Sequence, residues 1–404
     1  MSMNKKMSRI ERLIAEKCPE GVEFKALGDC VKKNIGGGTP SKAVASYWDG
    51  DILWASVGDL SIGGNLIKTT RNKITAEGLM RSSSNLVPSG AVIVAVKISP
   101  GKMKVADCEM AINQDLRGLV LSDFLDSHFL TYFFQTLRIG GNGTIVKAIT
   151  VNMLNRIKIP VPPLEIQKEI VKVLGFFTEL EAELEAELEA RKRQYDYYRT
   201  RLLTFGDDVA TNTLGDISIK TYSGGTPLAN HPDYYGGDIP WLRTQEVRFV
   251  DIYDTEMRVT PVALKNSAAK WIPENCVIVA ISGATAGRSA INKIPLTTNQ
   301  HCCCLEINPQ KANYRYVFHW VSSQYENLKA LGQGARSDLN SGIIKSYLIP
   351  LPTLEIQQEI VDILDKFDAL VNDLSIGLPA ELAARRKQYE YYRGKLLSFK
   401  PSLN

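Results

Sequence analysis

Residues 160–177 read PVPPLEIQKEIVKVLGFF, and residues 350–367 read PLPTLEIQQEIVDILDKF. Each copy is followed by a second matching segment, RKRQYDYYRTRLLTF at 191–205 and RRKQYEYYRGKLLSF at 385–399. The offset is 190 residues for the first pair and 194 for the second, so the second copy holds four extra residues between its two segments. Internal repetition of this kind predicts two copies of one structural unit.

The repeated segments have the pattern of long amphipathic helices. Two prolines directly precede Leu164, and proline suits the first helical turn because the N–H that it lacks has no partner there. No proline occurs between Leu164 and Phe205, so one continuous helix of about 60 Å is predicted. Two such helices in one chain are expected to pack on each other. The apolar stripe is formed by Ile166, Ile170, Val173 and Phe177 in the first copy, and by Ile356, Ile360, Ile363 and Phe367 in the second.

Residues 179–190 of the first copy read ELEAELEAELEA, one tetrapeptide three times over. All of its residues favour helix, and each copy would lengthen the helix by ~6 Å, which indicates an adjustable spacer. A plain solubilised helix would explain the composition of this tract but not its threefold identity. The second copy lacks the tract, and Gly377 and Pro379 predict an interruption of its helix.

The regions ahead of the helices also match. GGTPSKAVASYWDGDILW at 37–54 corresponds to GGTPLANHPDYYGGDIPW at 224–241, and VPSGAVIVAV at 87–96 corresponds to IPENCVIVAI at 272–281. The runs AVIVAV and CVIVAI predict buried strands. Trp54 and Trp241 are predicted to be core aromatics, and Asn113-Gln114 aligns with Asn299-Gln300.

These patterns predict an α+β protein with two pseudo-twofold related α/β domains that are separated by two long antiparallel coiled-coil helices. The predicted segments are an N-terminal segment (1–25), a first globular domain (26–160), a central helix with the ELEA repeats (161–205), a second globular domain (206–350), a distal helix (351–399) and a tail (400–404).

The composition is that of a globular protein, with 44% hydrophobic and 23% charged residues. No apolar run approaches the ~20 residues of a membrane span, and the N-terminus lacks the apolar core of a signal peptide, so a cytoplasmic protein without membrane contact is expected. When the six glutamates of the ELEA tract are left out, the net charge of +4 becomes +10. That value fits a nucleic-acid surface, and it fits an ordinary solvated surface of mixed charge as well.

Signs of catalysis are missing from the sequence. It has no phosphate-binding loop, no dinucleotide fingerprint and no Asn/Asp-Pro-Pro-aromatic signature of adenine methyltransferases. Glu23-Phe24-Lys25 has the form of a nuclease carboxylate site but lacks the upstream Pro-Asp. Cys302, Cys303 and Cys304 stand next to a histidine, yet adjacent strand residues point to opposite faces, so buried thiols are predicted rather than a metal site. A non-catalytic chain is therefore expected.

The layout resembles the specificity subunit of type I restriction–modification systems. The resemblance covers nearly the whole chain and depends on the two P-x-P-x-L-E-I-Q helix starts, the two Q-Y-x-Y-Y-R-x-x-L-L-x-F helix ends, the tandem tetrapeptide and the two G-G-T-P…W domains. It implies that each globular domain is a target-recognition domain that reads one half of a split sequence in double-stranded DNA. It also implies that the helices set the unread gap and dock two methyltransferase subunits.

The resemblance further implies restriction and translocation subunits in the same complex. No cofactor is expected in this chain, because S-adenosylmethionine, ATP and Mg²⁺ would be bound by those partner subunits. Divergent loops in the two domains predict an asymmetric target. Two other interpretations remain, a fused restriction or methylation enzyme and a structural coiled-coil adaptor without sequence-specific DNA binding.

Candidate DNA contacts are polar or basic residues on glycine-rich loops, because base edges need donors and acceptors while phosphates need cations and N–H groups. A solvated loop charge explains any one of these residues equally well. The candidates are Thr39, Ser41, Lys42, Lys97, Lys102, Lys104 and Lys147 in the first domain, and Thr226, Arg243, Gln245, Arg288, Arg336 and Ser337 in the second.

The tyrosines at the two helix ends have two interpretations. Core packing is the favoured one, and anchoring of a partner subunit is the alternative. The candidate anchors are Tyr195, Tyr198, Tyr389 and Tyr392.

Overall fold

The structure is a computed structural model that describes residues 8–139, 148–332, 338–373 and 375–402. The chain forms two compact units. Unit 1 comprises Met1–Glu187 together with Ala380–Asn404, and unit 2 comprises Leu188–Pro379.

The elements of the first half and the long helix that follows it are, in chain order, α1 (Arg9–Lys17), β1 (Phe24–Ala26), β2 (Val31–Gly36), β3 (Trp48–Ala55), β4 (Leu66–Ile67), β5 (Asn72–Ile74), α2 (Ala76–Met80), β6 (Asn85–Val87), β7 (Val92–Ala95), β8 (Met103–Ala106), β9 (Met110–Ile112), β10 (Leu116–Leu121), α3 (Ser127–Phe134), α4 (Val151–Arg156), β11 (Lys158–Pro160) and α5 (Leu164–Leu202).

The second half continues with β12 (Thr211–Thr213), β13 (Ser218–Ser223), β14 (Tyr235–Leu242), β15 (Asp251–Ile252), β16 (Met257–Val259), α6 (Pro261–Lys265), β17 (Val277–Ala280), β18 (Ser289–Asn292), β19 (Thr297–Thr298), β20 (Cys302–Ile307), α7 (Tyr314–Ser323), α8 (Tyr325–Ala330), α9 (Ser341–Ser346), β21 (Leu348–Pro350), α10 (Leu354–Asn372) and α11 (Leu378–Leu396).

The five-stranded sheets of the two units correspond strand by strand. Unit 1 has a five-stranded sheet in the order β2-β10-β7-β8-β4, and unit 2 has one in the order β13-β20-β17-β18-β15. A second sheet has the order β5-β3-β9-β6 in unit 1 and β16-β14-β19 in unit 2. Its parallel pair has antiparallel strands on both sides in unit 1 and on one side in unit 2. The predicted strands AVIVAV and CVIVAI are confirmed as the fully buried β7 and β17.

Cys302, Cys303 and Cys304 begin the buried strand β20. Cys303 packs into the core shared with α7, whereas Cys302 and Cys304 pack into the core on the other side of the sheet. Burial raises the pKa of the Cys303 thiol to about 11. The alternation of a strand therefore separates these thiols, as predicted.

The first long helix begins at Leu164, as the sequence predicts, and ends at Leu202, three residues before Phe205. α5 is continuous through the ELEA tract, and the second copy is interrupted between α10 and α11, where Gly377 lies. A Cβ at Gly377 would lie only 2.4 Å from the carbonyl oxygen of Ala369, so the turn after α10 requires glycine. No helix in the described part of the chain combines the length and apolar character that a membrane span needs.

A buried glutamine fastens each long helix to its own unit. In unit 1, Gln167 Nε2 donates to the carbonyl oxygens of Phe124 (2.8 Å) and Pro162 (2.7 Å), and its Oε1 accepts from the Asp126 N–H at 2.8 Å. The side chain is completely buried. It satisfies backbone groups at the start of α3 and ahead of α5, which would otherwise be costly to bury.

Unit 2 repeats this arrangement with Gln357. Its Nε2 donates to the carbonyl oxygen of Pro352 at 2.8 Å, and its Oε1 accepts from the Asn313 N–H at 2.8 Å. The glutamine of each L-E-I-Q motif is thus a structural residue that sets the angle at which the helix leaves its domain.

The aromatic residues of the helix ends form one cluster in each unit. In unit 1, Phe177 of α5 stacks on Tyr392 of α11, with 5.4 Å between ring centroids, and Glu181, further along α5, pairs with Arg386, further back along α11. The two helices therefore run antiparallel within unit 1. In unit 2, Phe367 of α10 stacks on Tyr198 of α5 at 5.4 Å.

Each cluster combines the helix start of one copy with the helix end of the other. The structure thereby confirms the predicted fold class and groups the predicted segments differently from their chain order. The N-terminal segment, the first domain and the C-terminal helix belong to one compact unit. A parallel bridge between Val22 and Pro401 joins the two chain ends in that unit.

Candidate nucleic-acid interface

In each unit, polar residues follow two parallel strands that end side by side. In unit 1, β3 and β9 pair with Trp54 opposite Ala111, so Ser56 and Asn113, which follow these strands, come to the same edge. In unit 2, β14 and β19 pair with Trp241 opposite Thr297. Arg243 and Asn299 follow those strands at the corresponding edge.

The Gly-Gly-Thr-Pro turn is held over this edge by the buried tryptophan. Trp54 Nε1 donates to the carbonyl oxygen of Gly38 at 3.0 Å, and Thr39 Oγ1 donates to Oε1 of Gln114. A Cβ at Gly37 would lie 2.2 Å from the carbonyl oxygen of Asn113, so this close approach requires glycine. Trp54 is 5% exposed and is a core residue, as predicted.

Unit 2 builds the same arrangement. Trp241 Nε1 donates to the carbonyl oxygen of Gly225 at 3.1 Å, and Thr226 Oγ1 donates to Oε1 of Gln300 at 2.6 Å. The predicted alignment of Asn113-Gln114 with Asn299-Gln300 is therefore confirmed by geometry.

A carboxylate supports the floor of each edge. Asp59, which is 1% exposed, accepts from the Ser56 N–H at 2.8 Å and from the Arg71 N–H at 2.9 Å. Glu246 accepts from the Arg243 N–H at 3.1 Å and from the Glu256 N–H at 2.8 Å. These acids fix two loops relative to each other.

In unit 1 the edge opens into a cleft of about 510 Å³. Exposed Lys42 and Gln114 stand at its rim, and Asn72 lies on β5 directly opposite Trp54. The cleft thus combines a cation, three amides and hydroxyl groups over an aromatic floor. Its lining consists of Thr39, Lys42, Trp48, Trp54, Ser56, Asn72, Asn113 and Gln114.

The two units share the buried residues that support the edge, but the residues at its rim differ. Strand pairing places Met257 opposite Trp241, where unit 1 has Asn72 opposite Trp54. Ser56 of unit 1 is replaced by Arg243, whose Nη2 pairs with Glu256 at 2.7 Å. The site therefore has one scaffold and two sets of contacts.

Several further rim positions differ in the same way. In each pair the unit 1 residue is given first: Lys42 and Ala229, Arg71 and Glu256, Asp115 and His301.

Three more of the predicted contacts lie at or near these edges. Ser41 is exposed, and its carbonyl oxygen accepts from Trp48 Nε1 at 3.1 Å. Lys97 is exposed and pairs at 3.4 Å with Asp115, the residue after Gln114. Gln245 follows Arg243, and its amide oxygen accepts from Arg243 Nη2 at 2.8 Å in the orientation that pairs donor with acceptor.

Lys102 and Arg288 occupy corresponding positions in the β7–β8 and β17–β18 hairpins. The Lys102 N–H donates to Ser99 and the Arg288 N–H donates to Thr285 in matching turns. Lys102 Nζ donates to Ser61 Oγ at 3.0 Å and lines another cavity, away from the cleft described above.

Lys104 requires a correction, because it is only 5% exposed. Its ammonium group donates to the carbonyl oxygens of Ile62 and, at 3.1 Å, of Gly63. Burial lowers its pKa, and the charge of Lys102 lowers it further. Lys104 therefore stabilises the loop after Asp59 and does not present its charge to solvent. Lys147, Arg336 and Ser337 lie outside the described residues.

The four candidate partner-binding tyrosines contribute to packing within the chain. Tyr195 is 8% exposed, and burial raises its pKa well above the ordinary value. Tyr198 and Tyr392 stack on Phe367 and Phe177, and Tyr389 donates to Gln135 Oε1 at 3.0 Å. Core packing is thus the interpretation that the structure favours, and partner binding by these four stays a prediction.

The third tyrosine of each helix end is the exposed one. Tyr197 is 58% and Tyr391 is 65% exposed. The sequence repeat alone could not separate these two from their neighbours. Tyr197 and Tyr391 lie on a different side of the helix from the stacked tyrosines, and this position could have distinguished them.

Comparisons with known proteins agree with this geometry. The family model described as type I restriction modification DNA specificity domain matches residues 19–190 and 206–384. The chain is 38% identical over 257 residues to the EcoR124I/EcoR124II specificity subunit of Escherichia coli, over 60% of this chain and 63% of that protein. It is 30% identical over 262 residues to a putative type I specificity subunit of Haemophilus influenzae, over 62% of this chain and 66% of that one.

These two alignments each span less than two thirds of the relative's length. Among solved structures, the type I restriction–modification S subunit from M. genitalium matches with a TM-score of 0.61 at 15% identity, over 98% of both chains. That likeness shows a shared fold.

Proposed function

The chain belongs to the type I restriction–modification DNA specificity family, and we propose that it is the sequence-reading subunit of such a complex. Each unit binds one half of a split, asymmetric sequence in double-stranded DNA. The chain itself carries out no chemistry and directs adenine methylation by partner subunits.

One observation supports this function above all: the two units share the same scaffold at this edge but carry different residues at its rim. The tryptophan, the glycine turn, the Thr–Gln hydrogen bond and the supporting carboxylate recur in both units. The residues around them change in size and charge. Recognition of two different half-sequences by one fold would produce this distribution, because the framework holds the loops while the loop side chains meet the base edges.

Specific roles follow from the chemistry of the unit 1 rim. Thr39 Oγ1 donates a hydrogen bond to Oε1 of Gln114, so the side-chain amide nitrogen of Gln114 remains to donate to DNA. Asn72 offers both a donor and an acceptor, the combination that pairs with adenine, and Lys42 suits a phosphate or a guanine. In unit 2, Arg243 takes the place of Ser56 and carries the forked donor set that suits guanine.

Partners and cofactors follow from the same proposal. Two methyltransferase subunits bind the paired long helices, and restriction and translocation subunits join through the complex. S-adenosylmethionine, ATP and Mg²⁺ are bound by those partners, and the complex acts on DNA in the cytoplasm. The near-identical helix segments of the two copies support equivalent docking of two identical subunits.

An adenine-methylation map of host DNA, with the gene intact and deleted, tests the proposal. We expect one split, asymmetric motif to lose methylation when the gene is deleted. Identical maps in a strain with active partner methyltransferase would refute sequence recognition by this chain.

Substitutions at the rim of each unit then show which half of the DNA motif that unit binds. Asn72→Ala is expected to relax the motif in one half alone, and Arg243→Ala is expected to relax only the other. Each lost base contact should cost about 1–3 kcal/mol of discrimination. Ser89→Ala is the matched control, because Ser89 is exposed in unit 1 and its hydroxyl donates to the Asp107 carbonyl on a turn away from the cleft lining.

A further inference from the structure

A second cavity of unit 1 lies between the five-stranded sheet and the long helices. It measures about 510 Å³, which is within the range of small-molecule sites. Its wall combines the loop ahead of β4, the turn between β7 and β8, the end of α3 and one side each of α5 and α11. A ligand in this cavity would therefore join segments that are far apart in the sequence.

Three cations line this cavity, namely Lys102, Lys104 and Arg393. Lys102 is exposed, and its Nζ donates to Ser61 Oγ at 3.0 Å. Lys104 is 5% exposed, and its ammonium group donates to backbone carbonyl oxygens, which carry no net charge. In the described part of the chain, no carboxylate lies within ion-pair distance of Lys104. A buried charge without a counter-charge is costly.

The surroundings of Lys104 leave its positive charge uncompensated. Burial lowers its pKa most, the charge of Lys102 lowers the pKa further, and the opposing effect of Asp59 is the smallest of the three. Among the described residues that line the cavity, Glu181 is the one acid, and its carboxylate already pairs with Arg386 at 2.6 Å. The cavity therefore has an excess of positive charge, which an anion would neutralise.

Unit 2 has a cavity at the corresponding place, and there the formal charges balance. Asp368 takes the position of Thr178, and Ala290 takes the position of Lys104. The charged residues that line the unit 2 cavity in the described structure are Lys192, Arg199 and Arg248 together with Asp196, Glu326 and Asp368. The excess of positive charge is thus specific to unit 1, although both cavities have the same position in the fold.

Asn65 adds an unsatisfied donor to the wall of the unit 1 cavity. Its Oδ1 accepts from Gln135 Nε2 at 2.9 Å, and Gln135 Oε1 accepts in turn from Arg393 Nη1 at 3.3 Å. These bonds fix the orientation of the Asn65 amide, whose Nδ2 is buried and has no hydrogen-bond partner among the described residues. A buried donor without a partner is costly, so this wall lacks an acceptor as well as a negative charge.

We propose that the unit 1 cavity binds a free oxyanion of the phosphate class. A phosphate group carries about two negative charges at pH 7 and several acceptor oxygens, which matches a lining of three cations and one acid. Lys102, Arg393 and the hydroxyl group of Ser61 bind the oxygens, and Lys104 adds its charge from behind the loop ahead of β4. The bound ion joins this loop to α11 and thereby stabilises unit 1.

A phosphate group could come from two sources, a free ion or the DNA backbone, and the burial of Lys104 favours the free ion. The carbonyl groups of Ile62 and Gly63 cover its ammonium group, so an anion has to enter the cavity to approach it. Backbone phosphates are bound by side chains and N–H groups that stand at the protein surface. The inference does not depend on the proposed function, because phosphate binding is measured without DNA.

Calorimetric titration of the full chain with sodium phosphate tests the proposal. We expect saturable binding at one site. At a phosphate concentration tenfold above the dissociation constant, the midpoint of thermal unfolding should rise by about 2–4 °C. Sodium chloride at the same ionic strength is the control for general screening. An equal rise in chloride, or the absence of saturable binding, would overturn the proposal.

Two substitutions test the residues assigned to the site. Thr178→Asp gives unit 1 the carboxylate that unit 2 has at the same position, and Lys102→Met removes one cationic contact. Each should weaken phosphate binding by about tenfold or more. Lys68→Met is the matched control, because Lys68 is exposed in unit 1 and lies outside the cavity lining. Unchanged affinity in both variants, or an equal loss in the control, would refute the inference.

The source of the phosphate group is decided by a DNA titration. Labelled target duplex is titrated with the wild-type chain and with Thr178→Asp, whose unfolding midpoint in chloride shows that it is folded. We expect equal duplex affinities, because the cavity binds a free ion. A loss of duplex affinity as large as the loss of phosphate affinity would assign the cavity to the DNA backbone and overturn the proposal of a free ligand.

Discussion

At the scale of single residues, the structure separates side chains that look alike in the sequence. Lys42 and Lys104 are both lysines near glycine-rich loops of the first domain. Lys42 is exposed at the rim of a polar cleft, whereas Lys104 is buried on backbone carbonyl groups. The sequence could not distinguish them, because the carbonyl groups that bind Lys104 come from a loop about forty residues earlier in the chain.

This difference predicts opposite results for two lysine variants. Lys42→Ala should lower DNA affinity about three- to tenfold and reduce the salt dependence of binding by about one ion, because it removes one cationic contact. Lys104→Met should leave both quantities unchanged. Titration of labelled target duplex at several salt concentrations provides the measurement, and equal losses in the two variants would contradict the placement of these residues.

The buried glutamines of the L-E-I-Q motifs support a second prediction. Gln357→Met keeps the side-chain volume but leaves the Asn313 N–H and the Pro352 carbonyl without partners. We expect the free energy of unfolding to fall by about 2–3 kcal/mol, the cost of burying unsatisfied polar groups. Urea unfolding measures the change.

The neighbouring exposed residue is the control for that variant. Gln358→Met changes the same side chain one position along α10, where water can satisfy the groups that lose a partner, and it should cost less than about 1 kcal/mol. Similar losses for both positions would show that the buried hydrogen bonds are not the reason for the repeat of glutamine.

At the scale of helices and strands, the predictions that were confirmed are those that depend on the local sequence pattern. Apolar runs predicted β7 and β17, uninterrupted helix formers predicted α5, and Gly377 with Pro379 predicted the break before α11. The packing of α1 could not be predicted, because its partners Glu165 and Lys395 are far from it in sequence.

α10 is held to unit 2 by an additional, partly buried ionic cluster. Asp365 accepts from Arg315 and, at 2.6 Å, from His319 Nε2, while Arg315 also pairs with Asp251 at 2.6 Å. Burial alone would raise the pKa of Asp365, but the hydrogen bonds from His319 and Arg315 lower it below its ordinary value. Neighbouring Asp368 has its pKa raised by burial.

A pH dependence with a definite sign follows for Asp365. Because its folded pKa lies below the unfolded value, its contribution to stability is present at neutral pH and is lost as the pH falls through the folded pKa. Asp365→Asn should therefore destabilise unit 2 at pH 7, by about 1 kcal/mol because solvent screens the partly exposed carboxylate, and the difference from wild type should shrink as the medium becomes acidic.

Urea unfolding at pH 7, 5 and 3.5 tests this dependence. Asp362→Asn serves as the control, since Asp362 is exposed on the same helix and accepts a hydrogen bond from Gln358. A destabilisation by Asp365→Asn that grows on acidification would contradict the assigned sign.

At the scale of the whole molecule, the repeat in sequence predicted two related units but not which segments compose each one. The C-terminal helix joins unit 1, where Tyr392 stacks on Phe177, while the end of α5 joins unit 2, where Tyr198 stacks on Phe367. Such exchange arises from contacts between residues some two hundred positions apart. The order of the segments along the chain does not predict this exchange, because each aromatic residue would pack equally well on the helix of its own copy.

The ELEA tract carries the last prediction, because α5 passes through it from unit 1 into unit 2. Deletion of residues 183–186 removes one tetrapeptide, shortens α5 by ~6 Å and rotates its remainder by ~40°. Since DNA rises ~3.4 Å per base step, the unread gap should shrink by about one or two base pairs while both half-sequences stay the same. Methylation mapping of host DNA with the deletion variant gives both the gap and the halves. A deletion that changes a half-sequence, or that leaves the gap unaltered in an active complex, would show that the tract does not measure distance along DNA.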